Sequence, residues 1–518
     1  MIYEEKRLTL QATLDNLKTQ PERNRLGQFA TPPDLAQEII HYSLALLPAN
    51  SSIRFLDPAI GTGVFYSSLR RIALRRKIEV AEGYEIDPHY GLPAQDIWRD
   101  TSLKIHLADF TTVKPASSER FNLVICNPPY VRHHHIPNNE KLRLQSEAEQ
   151  AIKARISGLS GLYCYFLALS HCWMAEGGIA AWLLPSEFMD VNYGRAIKHY
   201  LLNQVTLLRI HRFDPSKVQF EDALVSSAIV WFRNEKPPIA HQVEFTLGGT
   251  AAQPETSKMI DAEELRQAAK WTRFPLAAVR ENTQGIKFAD FFTIKRGIAT
   301  GDNNFFILTK QQICEYNLPF ECFQPILPSP RYLAQNEIMA DTEGNPLLTN
   351  QLFLLNCRLP EKEVQSLYPT LWQYLESGIP RVSERYLCRH RKPWYTQEER
   401  LPAPFLCTYI ARADSPSGRP FRFIFNHSSA TAANVYLLLY PKPVLANVLA
   451  HHPTFVRKVW QILNEIRPEI FLEGGRVYGG GLHKLEPNEL ANIPAESLLT
   501  LVPQAKQQIS HQLELFKA

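Results

Sequence analysis

Four short, mostly apolar runs in the first quarter of the chain each stop at a polar side chain, and this repetition constrains the fold more than any other feature. The runs at 53–56, 79–84, 103–108 and 121–126 stop at Asp57, Glu85, Asp109 and Asn127. Brief apolar runs closed by turn residues are the pattern of strands buried on both faces of a parallel sheet. In open α/β sheets, ligands bind in the crevice beyond the carboxyl ends of such strands. The spacing therefore predicts an α/β domain whose site is lined by those four residues.

Each strand end has its own chemistry. Asp57-Pro58-Ala59-Ile60-Gly61-Thr62-Gly63 reads as a strand end, a Gly-x-Gly turn and the entry to a helix expected over 66–77. Glycine lets a backbone pass close to a ligand, and Asp57 can accept from an ammonium or a hydroxyl. A nicotinamide site would want a third small residue where Tyr66 stands, so that reading is disfavoured. Glu85 lies where a carboxylate serves two ribose hydroxyls, since only an acceptor-rich group satisfies two donors at once. Asn127-Pro128-Pro129-Tyr130 follows the fourth run. The prolines fix φ, remove two N–H donors and hold the residues before them extended. What remains is a rigid row of acceptors. The Asn127 side-chain oxygen and the Pro128 carbonyl can both accept from one planar NH2 group, and Tyr130 offers a ring to a flat base. Upstream, Gly27-Gln28-Phe29-Ala30-Thr31-Pro32-Pro33-Asp34 opens a helix, and a helix amino end with a hydroxyl beside it can hold a carboxylate.

These stretches resemble the motifs of one family. Asn127 to Tyr130 resembles motif IV of methyltransferases acting on exocyclic or amide nitrogens, the DNA adenine-N6 enzymes among them. Asp57 to Gly63 resembles their motif I, and Gly27 to Asp34 their motif X, whose Thr-Pro contacts the carboxylate of S-adenosylmethionine. About sixty residues separate Gly63 from Asn127, too few for an inserted recognition domain, and the long remainder follows the catalytic half. That order resembles the gamma class, which commonly accompanies restriction endonucleases. The resemblance implies a Rossmann-like class I methyltransferase sheet followed by a mixed α+β target-recognition domain. It implies S-adenosylmethionine as cofactor, held by Thr31, Asp57, Ala59, Gly61, Gly63, Glu85, Asp109 and Phe110. Asp109 would take the adenine amino group and Phe110 would lie on its ring. It implies duplex DNA as partner, an adenine flipped from the stack, Asn127, Pro128, Pro129 and Tyr130 around its amino group, and no metal. Phe220, in Val218-Gln219-Phe220-Glu221-Asp222, matches the place where motif VIII supplies an aromatic. A cognate restriction endonuclease on a separate chain, a monomer and a cytoplasmic location complete the expectation.

Composition narrows the alternatives without choosing among them. A net charge of +4 is too small to demand nucleic acid. Eight cysteines without a C-x-x-C pair indicate neither zinc nor a disulfide framework. Met1 to Arg7 lacks the apolar core of a signal peptide, and the weakly polar Gly161 to Ala175 is too short to span a bilayer. His133-His134-His135 has no acidic or histidine partner at ligand spacing. Leu8, Leu10, Leu14 and Leu17 predict an amino-terminal helix over 1–20, ahead of a methyltransferase domain over 21–236. Pro237-Pro238 is read as the boundary with a recognition domain over 237–518. In that second half three stretches suit DNA: Lys295 to Asn304, Gly474 to Gly481, and Arg381 to Arg422. The last has nine Lys/Arg against four Asp/Glu, interleaved with Tyr386, Trp394, Tyr395, Phe405, Tyr409 and Phe421. Two rivals share parts of this pattern: a protein-glutamine or ribosomal-RNA methyltransferase, and a DNA-binding specificity protein without catalysis. The first would not explain the Gly27 to Pro33 segment, and intact residues at every motif argue against the second. A fused nuclease is not expected, with some twenty residues before the catalytic domain.

Overall fold

The four apolar runs are neighbouring strands of one nine-stranded sheet. In the computed structural model, described over residues 2–116, 120–214, 226–275, 285–412, 420–478 and 482–502, they are β1 (Ile53–Asp57), β2 (Ile78–Glu85), β3 (Leu103–Leu107) and β4 (Phe121–Cys126). After them come β5 (Met174–Pro185), β6 (Thr206–Arg212), β7 (Ser227–Arg233), β8 (Gln242–Leu247) and β9 (Thr256–Asp261). The strand order is β3-β2-β1-β4-β5-β7-β6-β8-β9. β1 to β5 pair in parallel, and β7 is antiparallel to both β5 and β6. Asp57 pairs with Gly83, Glu85 with Leu107 and Cys126 with Trp182, so the polar terminators emerge along one edge.

Side chains alternate between two cores, which is why these strands read as nearly continuous apolar runs. Val124, Cys126, Ala180, Trp182, Leu184, Val230 and Phe232 enter one core, whereas Leu123, Ile125, Ile179, Ala181, Leu183, Ile229 and Trp231 enter the other. The second core is completed by α3 (Pro33–Leu46), α4 (Val64–Ile72) and α5 (Pro88–Trp98), which follow α1 (Ile2–Asn16) and α2 (Gln20–Leu26). The first is completed by α6 (Asn138–Ile152), α7 (Leu162–Ser170) and α8 (Arg195–Asn203). α4 starts at Val64, where left-handed Gly63 (φ 88°) turns the chain into the helix, and it stops at Ile72 rather than continuing to 77. α5 is started by the Asp87 carboxylate, which accepts from the His89 N–H at 3.0 Å, with Pro88 preset for a first turn.

One expectation needs correction. The first compact unit comprises residues 1–280 with 477–481, and the second 281–476 with 482–518. The first thus extends some forty residues past the boundary expected at 236, because Pro237-Pro238 is a loop inside the sheet: β8 pairs in parallel with β6, and β9 caps β8. The amino-terminal helix forms, yet it buries Glu4, Arg7 and Leu14, while Leu8 and Leu17 stay 42% and 70% exposed.

The second unit is mixed α+β. Strands 292–296, 436–441, 405–408, 423–426 and 337–338 form one sheet, and 307–309, 352–355, 323–327 and 431–432 another. The aromatics of its basic and aromatic stretch are mostly internal, whereas the basic groups Arg381, Arg385, Arg389 and Lys392 are exposed. Tyr395, Phe405, Tyr409 and Phe421 are core residues. Arg391 donates to the carbonyls of Thr300 and Ala299 and to Gln397, and Arg422 to those of Pro330, Ala334 and Gln335. Tyr386, 69% exposed with Arg389 over its ring at 5.5 Å, and Lys392 do face solvent.

Candidate active site

The Asn127 amide is clamped from a segment nearly a hundred residues away. Its Nδ2 donates to the Phe29 carbonyl and to Thr31 Oγ1, both at 3.0 Å. Both donors are thereby used, and the amide can point only one way. Its Oδ1 is buried and has no hydrogen-bond partner among the described residues. A buried acceptor left unpaired costs about 1–3 kcal/mol, which is tolerated where a ligand supplies the missing donor. Gly27 makes the approach of the two loops possible. Its carbonyl accepts from the Tyr130 N–H at 3.2 Å, its φ is +65°, and a Cβ there would lie 2.3 Å from Tyr130 N. Tyr130 donates from its hydroxyl to the Leu183 carbonyl at 3.1 Å, which fixes a ring tilted against Phe29 at 5.7 Å. Pro128 is buried and Pro129 half-buried.

The other strand ends converge beside this loop. Asp57 is 1% exposed; one carboxylate oxygen accepts from the Ala59 N–H at 3.1 Å, and the other has no partner among the described residues. Burial pushes its carboxyl up to about 8 against that one bond, and the Glu85 charge adds to the rise. Glu85 accepts from Gly61 N–H at 3.1 Å and Asp87 N–H at 2.8 Å, and burial still raises it to about 6. Its two oxygens offer about four acceptor positions, so two remain for further donors. Gly61 (φ +54°) has open space where a Cβ would project, whereas a Cβ on Gly63 would lie 2.6 Å from Trp98 Nε1. Asp109 accepts from the Thr111 N–H at 2.9 Å and hydroxyl at 2.8 Å. Phe110 is 2% exposed, packed on Tyr84, Phe166 and Trp173, so its ring belongs to the core behind Asp109. Phe220 lies outside the described residues.

Sequence reasoning overlooked Ile86. This apolar side chain is 65% exposed beside Glu85, a position suited to the face of a flat ring, and its only signal was an isoleucine between two acids. Phe29 was overlooked too, because its contribution is a backbone carbonyl. His133–His135 form a single turn of 3-10 helix, and no group of three metal-ligating side chains occurs among the described residues. No helix among them is long and apolar enough to cross a membrane.

A parallel sheet with one antiparallel strand inserted beside β5, and polar groups on four adjacent strand ends, defines a class I methyltransferase fold. Residues 76–219 match the family described as Eco57I restriction-modification methylase, and residues 269–517 that described as type II methyltransferase M.Eco57I, C-terminal domain. The chain is 26% identical to type II methyltransferase M.AccI of Acinetobacter calcoaceticus, over 90% of this chain and 85% of the relative. It is 27% identical to M.XamI of Xanthomonas campestris pv. amaranthicola, over 92% and 86%. The type IIL restriction-modification enzyme MmeI, solved in complex with DNA, shares the fold with a TM-score of 0.52 and 13% identity, over 95% of this chain and 67% of that one. The chain belongs to the type II restriction-modification methyltransferases, a family that methylates DNA, and S-adenosylmethionine is its methyl donor. The residues present fit that donor: a buried unpaired carboxylate oxygen for its ammonium or a hydroxyl, a second carboxylate with spare acceptor positions, and a glycine turn with open space.

Proposed function

We propose that the protein methylates N6 of an adenine turned out of duplex DNA, as the modification partner of a restriction endonuclease carried on a separate chain. The observation that carries this reading is the clamped Asn127 amide, whose oxygen is buried with its own donors already committed. Such an acceptor, next to the Pro128 carbonyl, suits an amino group on a flat ring. Extruding a base costs a few kcal/mol. Stacking on an aromatic ring is worth about 1–3 kcal/mol per base, so Tyr130, with Phe220 as a second candidate, offsets much of that cost.

In this reading Thr31, Asp57, Ala59, Gly61, Gly63, Glu85 and Asp109 hold the cofactor, with Phe110 as the wall behind Asp109. Thr31 accepts from Asn127 and keeps its own hydroxyl hydrogen for a carboxylate. When bound, the cofactor supplies an electrophilic methyl group. Asn127 and the Pro128 carbonyl orient the target amine by accepting its hydrogens, which directs the nitrogen lone pair out of the ring plane. Pro129 keeps that loop rigid. Positioning and fixed dipoles thus take the place of a general base at the start of transfer. The second unit supplies target recognition, with Lys295, Tyr386, Arg389 and Lys392 as exposed groups for phosphates and bases. The test is to methylate duplex DNA with labelled donor, digest it to nucleosides and identify the product by mass spectrometry. N6-methyladenine is the expected product. Label in cytosine, or in RNA or protein but not in DNA, overturns the proposal.

A further inference from the structure

The residues that α1 buries are the wrong ones for a helix that merely docks. Two of its three buried side chains, Glu4 and Arg7, are charged, and removing such groups from water costs several kcal/mol per ion unless each is fully paired. They are paired, and the pairing leads to one place. Arg7, 2% exposed, donates from Nε and Nη2 to the Glu4 carboxylate at 2.9 and 2.7 Å, and from Nη1 to Thr62 Oγ1 at 3.2 Å. Thr62 is the residue between Gly61 and Gly63. Its hydroxyl donates to Gln11 of the same helix at 2.6 Å, and its carbonyl accepts from Trp98 Nε1 at 2.9 Å. Glu4 also accepts from the Ser67 hydroxyl on α4, and Tyr3 stacks on Trp98 at 5.5 Å. The other end of the helix reaches the second strand end. The Leu14 carbonyl meets the His89 ring at 3.0 Å, Asp15 accepts from the Tyr90 hydroxyl at 2.8 Å, and Lys18, just past the helix, pairs with Asp87. Asp87 N–H in turn donates to Glu85 at 2.8 Å.

We infer that α1 is a splint across the two halves of the cofactor cradle, and that Arg7 is a positioning residue acting on the Gly61–Gly63 turn through the Thr62 hydroxyl; this rests on the assignment of that turn and Glu85 to the cofactor. Two glycines leave the turn free to move, and the splint removes that freedom before the cofactor arrives. Removing the Arg7 guanidinium therefore weakens cofactor binding and leaves DNA binding alone.

The test uses the full chain. Arg7→Ala, Arg7→Lys, Thr62→Val and Leu201→Ala are compared for S-adenosylmethionine affinity by calorimetry, for amide exchange at 61–64 without cofactor, and for DNA affinity without cofactor. Arg7→Ala is expected to raise the cofactor Kd about tenfold or more, equivalent to about 1.4 kcal/mol, and to speed exchange at 61–64, with DNA Kd within about twofold. Arg7→Lys restores part of the loss. Thr62→Val, which leaves the Glu4–Ser67 hydrogen bond in place, reproduces the effect if Arg7→Ala fails to fold. Leu201→Ala, a core truncation on α8 away from the splint, lowers the melting temperature but leaves the cofactor Kd within about twofold. An unchanged Kd in Arg7→Ala, or in Thr62→Val where Arg7→Ala does not fold, overturns the splint; so does an equal rise in Leu201→Ala. Glu85→Ala, run in parallel, separates the two readings: if it binds cofactor normally, the site assignment falls and takes the splint with it, whereas if only Glu85→Ala is impaired, the splint alone falls.

Discussion

The strand-end loops of the first unit and the Arg381 to Arg422 stretch of the second both combine polar side chains with aromatics, acceptors in the first and mostly cationic donors in the second, and use them in different ways. At the strand ends, Asn127 and Asp57 each keep a buried oxygen without a partner among the described residues. In the second unit the guanidiniums of Arg391 and Arg422 are committed to backbone carbonyls, and the aromatics fill a core. Arg391 and Arg422, with their bonds made, hold the fold, although Trp394 Nε1 and Thr396 Oγ1 of the same stretch are buried without a partner among the described residues; Asn127 and Asp57 keep acceptors on neighbouring strand ends, where a ligand can supply the donors. Density of basic and aromatic residues does not distinguish the two, because a stretch of irregular chain also needs side chains to satisfy its carbonyls.

The sharpest way to break this contrast is Asn127→Ala. On the proposed reading the lost acceptor is the one that meets the target amine, so kcat should fall at least about a hundredfold, some 2.7 kcal/mol of barrier, with cofactor affinity nearly intact. Transfer of labelled methyl groups at saturating cofactor measures it, and more than about a tenth of wild-type turnover removes Asn127 from catalysis. Glu85→Ala should weaken cofactor binding about tenfold, as two hydrogen bonds to a charged acceptor are lost, and leave kcat at saturation less affected. Calorimetry decides.

The second half of the contrast predicts a division among neighbours. Arg391→Ala should destabilise the protein by about 1–3 kcal/mol, visible as an earlier thermal transition, because the Ala299 and Thr300 carbonyls lose their donor. Arg389→Ala with Lys392→Ala should leave the transition in place and flatten the salt dependence of DNA binding, by roughly 0.9 in log K against log salt for each phosphate no longer neutralised. An unchanged slope shifts the role to Lys295. A further effect concerns pH. With its carboxyl near 8, Asp57 is mostly protonated in the free protein at neutral pH, and it must ionise to accept from an ammonium. Binding then releases a proton, so cofactor affinity should rise by up to about tenfold per pH unit from pH 6 towards 8 and level off above. The same shift makes the cofactor-free protein less stable as pH rises from about 4 to 8, since the folded state holds the extra proton. Calorimetry in buffers of different ionisation enthalpy counts the protons.

What the sequence made legible was local. Runs of the right length, a glycine pair and two adjacent prolines report on neighbouring residues, and β1 to β4 lie where those signals put them. Interactions that cross the chain were not legible. Asn127 meets Phe29 and Thr31 from 98 and 96 positions away, and no periodicity encodes that clamp. The first helix was legible from Leu14, which is buried, but not the ion pair of Glu4 and Arg7 buried beside it, which a search for apolar stripes discards. Pro237-Pro238 looked like a border since prolines interrupt a strand whether or not the sheet continues beyond them.

The placement of β8 and β9 bears on solubility. β6 donates and accepts along Arg209 to Arg212 with β8, and β9 then presents an outer rim in which Thr256, Ser257, Lys258 and Met259 are exposed. A charged, short outermost strand discourages another sheet from adding to it. A fragment cut at 236 would lose both strands and expose the bare backbone of β6 beside the apolar Val205, Leu207 and Ile210, an invitation to intermolecular pairing. Anyone wishing to handle the catalytic half alone should cut beyond Phe274, where the Trp271 and Phe274 rings have closed over Phe245.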